Sequence, residues 1–155
     1  MLSGSPEETR RIGAALASQL EKGDVVLLSG ELGAGKSELA RGIVQGLGVN
    51  APVTSPTFTL LNLYTGKDGI VLRHFDWYRV EDPEELLAAG LDEYIGGSGI
   101  TLIEWHERAP GLVPDDCLEI RIFANEDGSR EISLLSGPAC RQLSLKDASE
   151  TERAP

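Results

Sequence analysis

The most informative segment of the sequence is Gly30-Glu31-Leu32-Gly33-Ala34-Gly35-Lys36-Ser37, which matches the phosphate-binding pattern G-x-x-x-x-G-K-[ST]. An apolar run from Val25 to Ser29 precedes it and predicts a buried strand. A helical pattern follows it, in which one face carries Leu39, Ala40, Ile43, Val44 and Leu47. Strand, glycine-rich loop and helix together indicate a polyphosphate site, where backbone N–H groups and the positive end of the helix dipole meet the anion.

Four side chains are candidates for the chemistry of such a site. In this pattern Lys36 reaches the β- and γ-phosphates, and Ser37 places its hydroxyl on Mg²⁺. Glu104 ends the apolar run 100–103, and Asp76 ends a second one. One of these acids would hold Mg²⁺, and the other would orient the attacking water or accept its proton. The sequence leaves open which acid does which, and each could instead be a helix or loop cap.

The remaining pattern predicts one α/β domain over residues 1–138, followed by a polar tail over 139–155 that frays from about Asp147. Cap-and-proline signals predict helices that start at Ser5-Pro6-Glu7-Glu8 and at Asp82-Pro83-Glu84-Glu85. Two predicted hairpins pair 58–64 with 70–76, and 117–123 with 131–135. Hairpin strands are antiparallel, so we expect a mixed sheet flanked by helices, in the manner of a phosphate-loop NTPase.

The charge of the chain limits its partners. Twenty-five Asp and Glu against 14 Lys and Arg give a formal net charge of −11, and no basic patch is visible. A protein that holds nucleic acid by itself normally shows such a patch, so any nucleic-acid role should pass through another protein. We find no membrane span and no basic or apolar export signal at the N-terminus, which predicts a cytoplasmic protein.

For several residues the sequence alone allows two interpretations. Ser55 and Thr57 could sense the γ-phosphate or form a turn. We expect a structural role for His74 and an exposed position on the first helix for Thr9. The aromatic residues after the two acids could stack on adenine or complete the core, and for Tyr78 we prefer the core; they are Trp77, Tyr78 and Trp105.

The chain resembles the TsaE (YjeE) family of small bacterial ATPases over about residues 5 to 135. The resemblance is carried by ordered motifs at matching spacing: Gly30 to Ser37, Ser55-Pro56-Thr57-Phe58-Thr59, His74-Phe75-Asp76-Trp77-Tyr78-Arg79, Asp82-Pro83-Glu84-Glu85-Leu86 and Ile103-Glu104-Trp105. The opening helix with Glu8, Thr9 and Gly13 also fits. Ser37 stands where the family often has threonine, which supplies the same hydroxyl.

The resemblance implies an ATPase that takes part in making N6-threonylcarbamoyladenosine in tRNA and acts on a TsaB–TsaD complex. It implies ATP and Mg²⁺ as ligands, with tRNA reached only indirectly. Lys36 and Asp76 would be catalytic, and Ser37 and Glu104 would hold the metal, with Glu104 also counted among the catalytic residues. The nucleotide would be bound by the whole loop Gly30, Glu31, Leu32, Gly33, Ala34, Gly35, Lys36 and Ser37, together with Thr9, Thr57 and Trp105.

Two other functions compete with this interpretation. A small-molecule kinase normally has a lid of several arginines around the transferred phosphate, whereas Arg121, Arg130 and Arg141 do not cluster in the sequence. A nucleotide-dependent adaptor would bind ATP without hydrolysing it. A GTPase is disfavoured, because no Asn-Lys-x-Asp guanine signature is present.

Overall fold

The computed structural model describes residues 1–136 and 142–145. Within them the chain forms, in order, β1 (Leu2–Ser3), α1 (Pro6–Ala17), β2 (Val25–Ser29), α2 (Lys36–Gly46), β3 (Leu61–Thr65), β4 (Val71–Asp76), α3 (Glu84–Ala88), β5 (Ile100–Glu104), β6 (Leu118–Ala124) and β7 (Arg130–Ser136). Four short 3-10 helices cover Lys67–Gly69, Leu91–Tyr94, His106–Arg108 and Pro110–Leu112.

All described strands join one sheet with the order β1-β7-β6-β2-β5-β4-β3. The four inner strands β6, β2, β5 and β4 are parallel, whereas β3, β7 and β1 pair antiparallel with their neighbours. The predicted α/β domain with a mixed sheet is therefore confirmed. Parallel strands buried on both faces read as continuous apolar runs, which is why β2 and β5 were visible in the sequence.

Helices cover both faces of this sheet. Buried residues of α1 and α2 pack on one face, against Val26 and Leu28 of β2. Leu86 of α3 packs on the opposite face, against Val25 and Leu27. Alternate residues of β2 thus supply both cores, and every residue of the strand that leads into the phosphate loop is buried.

The predicted start of α1 is confirmed in its main feature. Ser5 is the N-cap, and its hydroxyl accepts the backbone N–H of Glu8 at 3.1 Å. The Glu8 carboxylate reaches back one residue further than a standard capping box, to the N–H of Gly4 at 2.6 Å. The first turn of α1 is thereby fixed to the segment that enters from β1.

The largest differences from the sequence prediction concern two edge strands. The strand expected over 58–64 begins only at Leu61, because Leu60 has φ +66° and its N–H donates to the carbonyl of Pro56 at 2.8 Å in a turn. Phe58 is 81% exposed as a result. The short edge strand β1, which pairs with β7, was not predicted, since two residues carry no periodicity.

The predicted tail over 139–155 lies largely outside the described residues, and so does its fraying beyond Asp147. Of this segment the structure describes residues 142–145, which are bonded to Gln19, two residues after the end of α1. The side-chain amide of Gln19 donates to the carbonyl of Ser144 at 2.8 Å and accepts its N–H at 2.7 Å.

No helix in the described part of the chain is both long and apolar enough to cross a membrane.

Candidate functional site

The phosphate loop connects β2 to α2. Gly35 is the N-cap of α2 and has φ +109°, a conformation that side-chain-bearing residues rarely adopt. A Cβ at this position would also meet the Cδ1 of Ile122 at 3.1 Å. Glycine therefore lets the backbone turn into the helix here, so that the first N–H groups of α2 are presented to an anion.

Lys36 begins α2 and folds back over the loop. Its ammonium donates to the carbonyl of Gly30 and, at 3.0 Å, to that of Glu31. It lies 4.4 Å from the ring centroid of Trp105 and is only 7% exposed. Burial lowers the pKa of Lys36 in spite of the opposing attraction of Glu104 and other acids. The lysine is a positive charge held in a partly dry site by neutral acceptors.

The two predicted acids are brought together at the carboxyl ends of β4 and β5. Asp76 and Glu104 are register partners in these parallel strands, and they are 5% and 3% exposed. Both line a cleft of about 320 Å³ that also includes the loop, and its walls are Leu32, Gly33, Gly35, Lys36, Ser37, Glu38, Ser55, Thr57, Asp76, Tyr78, Glu104 and Trp105. Paired carboxylates and a lysine thus share one cleft.

Both oxygens of Asp76 have partners. Its Oδ2 accepts the Thr57 hydroxyl at 3.1 Å and that of Ser55 at 3.5 Å, and its Oδ1 accepts the N–H of Tyr78 at 2.9 Å. Burial raises the pKa of Asp76, and the charge of Glu104 raises it further, against these hydrogen bonds. The predicted switch residue Thr57 is therefore in contact with a site acid.

Oxygen donors at this site fit a magnesium ion. Ser37 and Glu104 line the same cleft. Among the described residues no group of three or more His, Cys, Asp or Glu side chains is arranged to hold a metal. Magnesium is usually held by one or two protein oxygens together with substrate phosphates and water, so a serine and one carboxylate suit it better than a metal that needs an all-protein cage.

The aromatic residues divide between cleft and core. Trp77 is fully buried and packs edge-on against Phe75 at 5.8 Å, as a core residue does. Tyr78 lines the cleft and is 37% exposed, so the preference for a core role was wrong. Its ring lies 4.9 Å from that of Trp105, whose backbone has φ +60°.

Other loop residues and Thr9 lie apart from this cleft. Glu31 and Gly30 line a neighbouring cavity of about 830 Å³, and the Ala34 side chain is buried in the core. Thr9 is 2% exposed, and its hydroxyl bonds to that of Ser3 at 2.7 Å. The expected exposed position of Thr9 is therefore wrong, because β1 covers it; its role toward a nucleotide stays a prediction.

Two contacts of the site were not predicted from the sequence. Arg130, at the start of β7, donates from Nη2 to the carbonyl of Gly33 at 3.5 Å. Arg121 instead bonds to Glu119 at 3.2 Å, and Arg141 lies outside the described residues. His74 was expected to be structural, yet its Nε2 lies 2.7 Å from Glu104 Oε2. Its position two residues before Asp76 on the same strand face was the signal that could have revealed this contact.

Comparison with known proteins bears on the family of the chain. The family model described as "Threonylcarbamoyl adenosine biosynthesis protein TsaE" matches residues 3–132. The tRNA threonylcarbamoyladenosine biosynthesis protein TsaE of Bacillus subtilis is 40% identical over 149 residues, which cover 92% of each chain. The protein of the same name from Treponema pallidum is 39% identical over 133 residues, covering 86% of this chain and 97% of the relative.

A solved structure has a similar fold. The crystal structure of Bacillus subtilis YdiB superposes with a TM-score of 0.74 at 36% identity, covering 88% of this chain and 83% of that one. The fold is thus that of a phosphate-loop NTPase. With the family model spanning most of the chain and relatives near 40% identity, the chain belongs to the TsaE family of tRNA threonylcarbamoyladenosine biosynthesis proteins.

Proposed function

We propose that the chain binds ATP with Mg²⁺ and hydrolyses it, as the ATPase component of the tRNA N6-threonylcarbamoyladenosine machinery. The observation that carries this proposal is the register pair of Asp76 and Glu104, set in one cleft with Lys36. The cleft lies at the carboxyl ends of parallel strands, where α/β proteins bind their ligands. Its volume of about 320 Å³ is within the range of ligand sites.

Phosphate binding would exchange the partners of Lys36. In the structure its ammonium is held by two backbone carbonyls, those of Gly30 and Glu31. A phosphate oxygen carries negative charge and would replace them as a stronger acceptor. This exchange would raise the pKa of Lys36 toward its ordinary value, since the new partner is an anion.

Ser37 and Glu104 are the residues that would hold the metal. A bound magnesium ion would neutralise charge on the β- and γ-phosphate oxygens as the terminal phosphoryl group leaves. Ser37 would offer its hydroxyl oxygen and Glu104 one carboxylate oxygen, directly or through water. The chain's own contribution is to hold these two oxygens at the start of α2 and the end of β5.

Asp76 would act on the attacking water. Water attacks the γ-phosphorus, the bond to the β,γ-bridging oxygen breaks, and the water's proton must be taken up. A carboxylate whose pKa is raised by burial is a better proton acceptor than an ordinary aspartate. Because the hydroxyls of Ser55 and Thr57 both bond to Oδ2 of Asp76, a water that bonds to this oxygen would compete with them.

The partner would be a TsaB–TsaD-like complex in the cytoplasm, and tRNA would be reached through it. The net charge of −11 supports an indirect route, because it opposes direct contact with a polyanion. We expect the ATPase rate of the chain alone to be low and to rise with the partner.

Isothermal titration calorimetry with Mg·ATP tests the nucleotide site. Lys36→Ala should weaken binding by about 10- to 100-fold, the value of a charge-assisted hydrogen bond. Lys22→Ala removes the same charge at an exposed turn and should bind as the wild type does. Equal affinity in Lys36→Ala and the wild type would contradict the proposed site.

Phosphate release separates hydrolysis from its alternatives. We expect inorganic phosphate to form from Mg·ATP, faster when the TsaB–TsaD complex is added. Tight ATP binding without phosphate release under either condition would indicate a non-hydrolysing adaptor. Transfer of label from γ-³²P-ATP to an added metabolite, with no free phosphate, would indicate a small-molecule kinase.

A further inference from the structure

His74 is a buried polar residue in the middle of the site wall. It lies on β4, two residues before Asp76 on the same face, and Leu102 of β5 is its register partner. Its imidazole is 3% exposed and the carboxylate of Glu104 is 4% exposed, with 2.7 Å between Nε2 and Oε2. This is a short contact between two groups that solvent barely reaches.

The chemistry of the pair determines the direction of this hydrogen bond. An ionised carboxylate can only accept, so Nε2 must carry the proton. The bond engages Oε2 and leaves Oε1 of Glu104 for a second partner. Because the imidazole is held in the packed sheet, it fixes the rotation of the Glu104 carboxylate about its last bond.

Stability alone gives a poor account of His74. Its Nδ1 is buried without a hydrogen-bond partner among the described residues. An unsatisfied buried polar atom costs on the order of 1–3 kcal/mol, whereas an apolar side chain facing Leu102 would carry no such cost. His74 also lines a small cavity of about 150 Å³ together with Ser37 and Glu104, the two oxygen donors of the site.

We propose that His74 is a positioning residue, which orients the carboxylate of Glu104 toward the magnesium ion of a bound nucleotide. The inference rests on the proposed function, because it gives Glu104 its metal. Ligating carboxylates are commonly hydrogen-bonded by a neighbour that fixes their direction, and loss of that neighbour costs about 10- to 100-fold in metal affinity.

The test measures Mn²⁺ affinity of the protein saturated with ADP, by electron paramagnetic resonance of the unbound Mn²⁺. His74→Leu removes the donor and should weaken Mn²⁺ binding by about 10- to 100-fold. His74→Gln places an amide N–H near the position of Nε2 and should recover most of the affinity. ADP binding in the absence of metal should be the same in both variants and the wild type, since neither change touches the phosphate loop.

The chain has two histidines, and the second provides the matched control. His106 bonds to Ser29 at 2.9 Å in the neighbouring cavity, and His106→Leu should leave Mn²⁺ affinity unchanged. Wild-type Mn²⁺ affinity in His74→Leu, or His74→Gln binding as weakly as His74→Leu, would overturn the proposal. If the wild type with ADP binds no Mn²⁺ at all, the proposed function fails instead.

A second measurement needs no change at His74. In ¹⁵N-histidine-labelled wild-type protein, long-range nitrogen–proton correlation spectra report which ring nitrogen carries a proton, and His106→Leu assigns the two rings. We expect a protonated Nε2 on His74, because it must donate to Glu104. A bare Nε2 would overturn the proposal, even if every His74 variant failed to fold.

Discussion

At the scale of single residues, the ionised carboxylate of Asp76 lowers the stability of the folded chain. Burial raises the pKa of its carboxyl, and Glu104 raises it further. Between the ordinary aspartate pKa and this higher value, the folded chain binds a proton that the unfolded chain has lost. Stability therefore falls as pH rises through this window, and the penalty is fully present once the pH exceeds the raised pKa of Asp76.

Asp76→Asn should consequently make the protein more stable and less active. The amide keeps its oxygen for the N–H of Tyr78 and turns its NH2 group toward the Thr57 hydroxyl, which can accept. It cannot ionise, so at neutral pH we expect Tm to rise by a few degrees, about 2–4 °C for each kcal/mol. The gain should shrink as the pH is lowered through the raised pKa of Asp76, where the wild type is protonated too. Thermal unfolding across pH measures this, and ATP hydrolysis should be lost while ATP binding remains.

Asp127 is a suitable control, because the pKa of its carboxyl is shifted in the opposite direction. It lies in an exposed turn, where hydrogen bonds from Ser129 lower the pKa of its carboxyl. Asp127→Asn should not raise Tm at neutral pH. If Asp76→Asn instead melts below the wild type at neutral pH and no longer binds ATP, then Asp76 holds the fold rather than serving hydrolysis.

Some of these residues could be placed from the sequence and others could not. Asp76 and Glu104 each end an apolar run, and parallel strands bring such ends to one edge, so their meeting was predictable. Thr9 follows helical periodicity but is buried by β1, whose two residues leave no pattern. Tyr78 lies just past the end of β4, where strand alternation no longer tells which way a side chain points.

At the scale of elements, α1 and α2 pack unusually close together. A Cβ on Gly42 of α2 would lie 2.2 Å from the carbonyl oxygen of Arg10, and one on Gly13 of α1 would lie 2.6 Å from that of Leu39. These are backbone atoms, which cannot turn aside as a side chain can. Because α2 begins at the phosphate loop, this packing also sets the position of Lys36.

Gly42→Ala should destabilise the protein although alanine is the better helix former. The propensity gain is about 1 kcal/mol, but the clash requires the two helices to separate, and overpacking costs about 1–3 kcal/mol or more. Because the clashing atoms are backbone, we take the upper end of this cost and expect a net loss of about 2 kcal/mol in denaturant unfolding, together with weaker ATP binding as the loop shifts.

Gly111→Ala is the control for this change. Within the described part of the chain, no atom outside the adjacent residues lies within 4 Å of a Cβ at that position, and its backbone is not left-handed. Its stability should equal that of the wild type. If Gly42→Ala were as stable as the wild type, the close approach of α1 and α2 would not be a constraint on the fold.

The boundaries of elements could be predicted less well from the sequence than the elements themselves. The run from Phe58 to Tyr64 has the residues of a strand, and propensity extends it too far. The strand is limited by its partner: β4 ends at Asp76, and Leu61 pairs with Phe75, so residues before Leu61 have little to pair with. They turn instead, and this turn carries Thr57 to Asp76. Long-range pairing of this kind is not encoded in a local pattern.

At the scale of the whole molecule, charge decides which contacts the family's tRNA role permits. The chain has 25 acidic and 14 basic residues. Several of the basic ones are engaged within the fold: Arg10 and Arg41 both pair with Glu38, and Lys36 serves the phosphate loop. Binding to a nucleic acid backbone requires several lysines or arginines on one surface, each releasing a counterion.

We therefore expect the chain alone not to bind tRNA. In electrophoretic mobility shifts with unmodified tRNA, no complex should form at about 0.15 M salt, with or without Mg·ATP, because the acidic surface repels the phosphates over a Debye length of about 8 Å. The matched control is the TsaB–TsaD complex, assayed alone and together with the chain. Only the lanes that contain this complex should show shifted tRNA. A saturable complex of tRNA with the chain alone, whose affinity falls steeply as salt rises, would contradict this expectation and indicate a basic surface that the composition conceals.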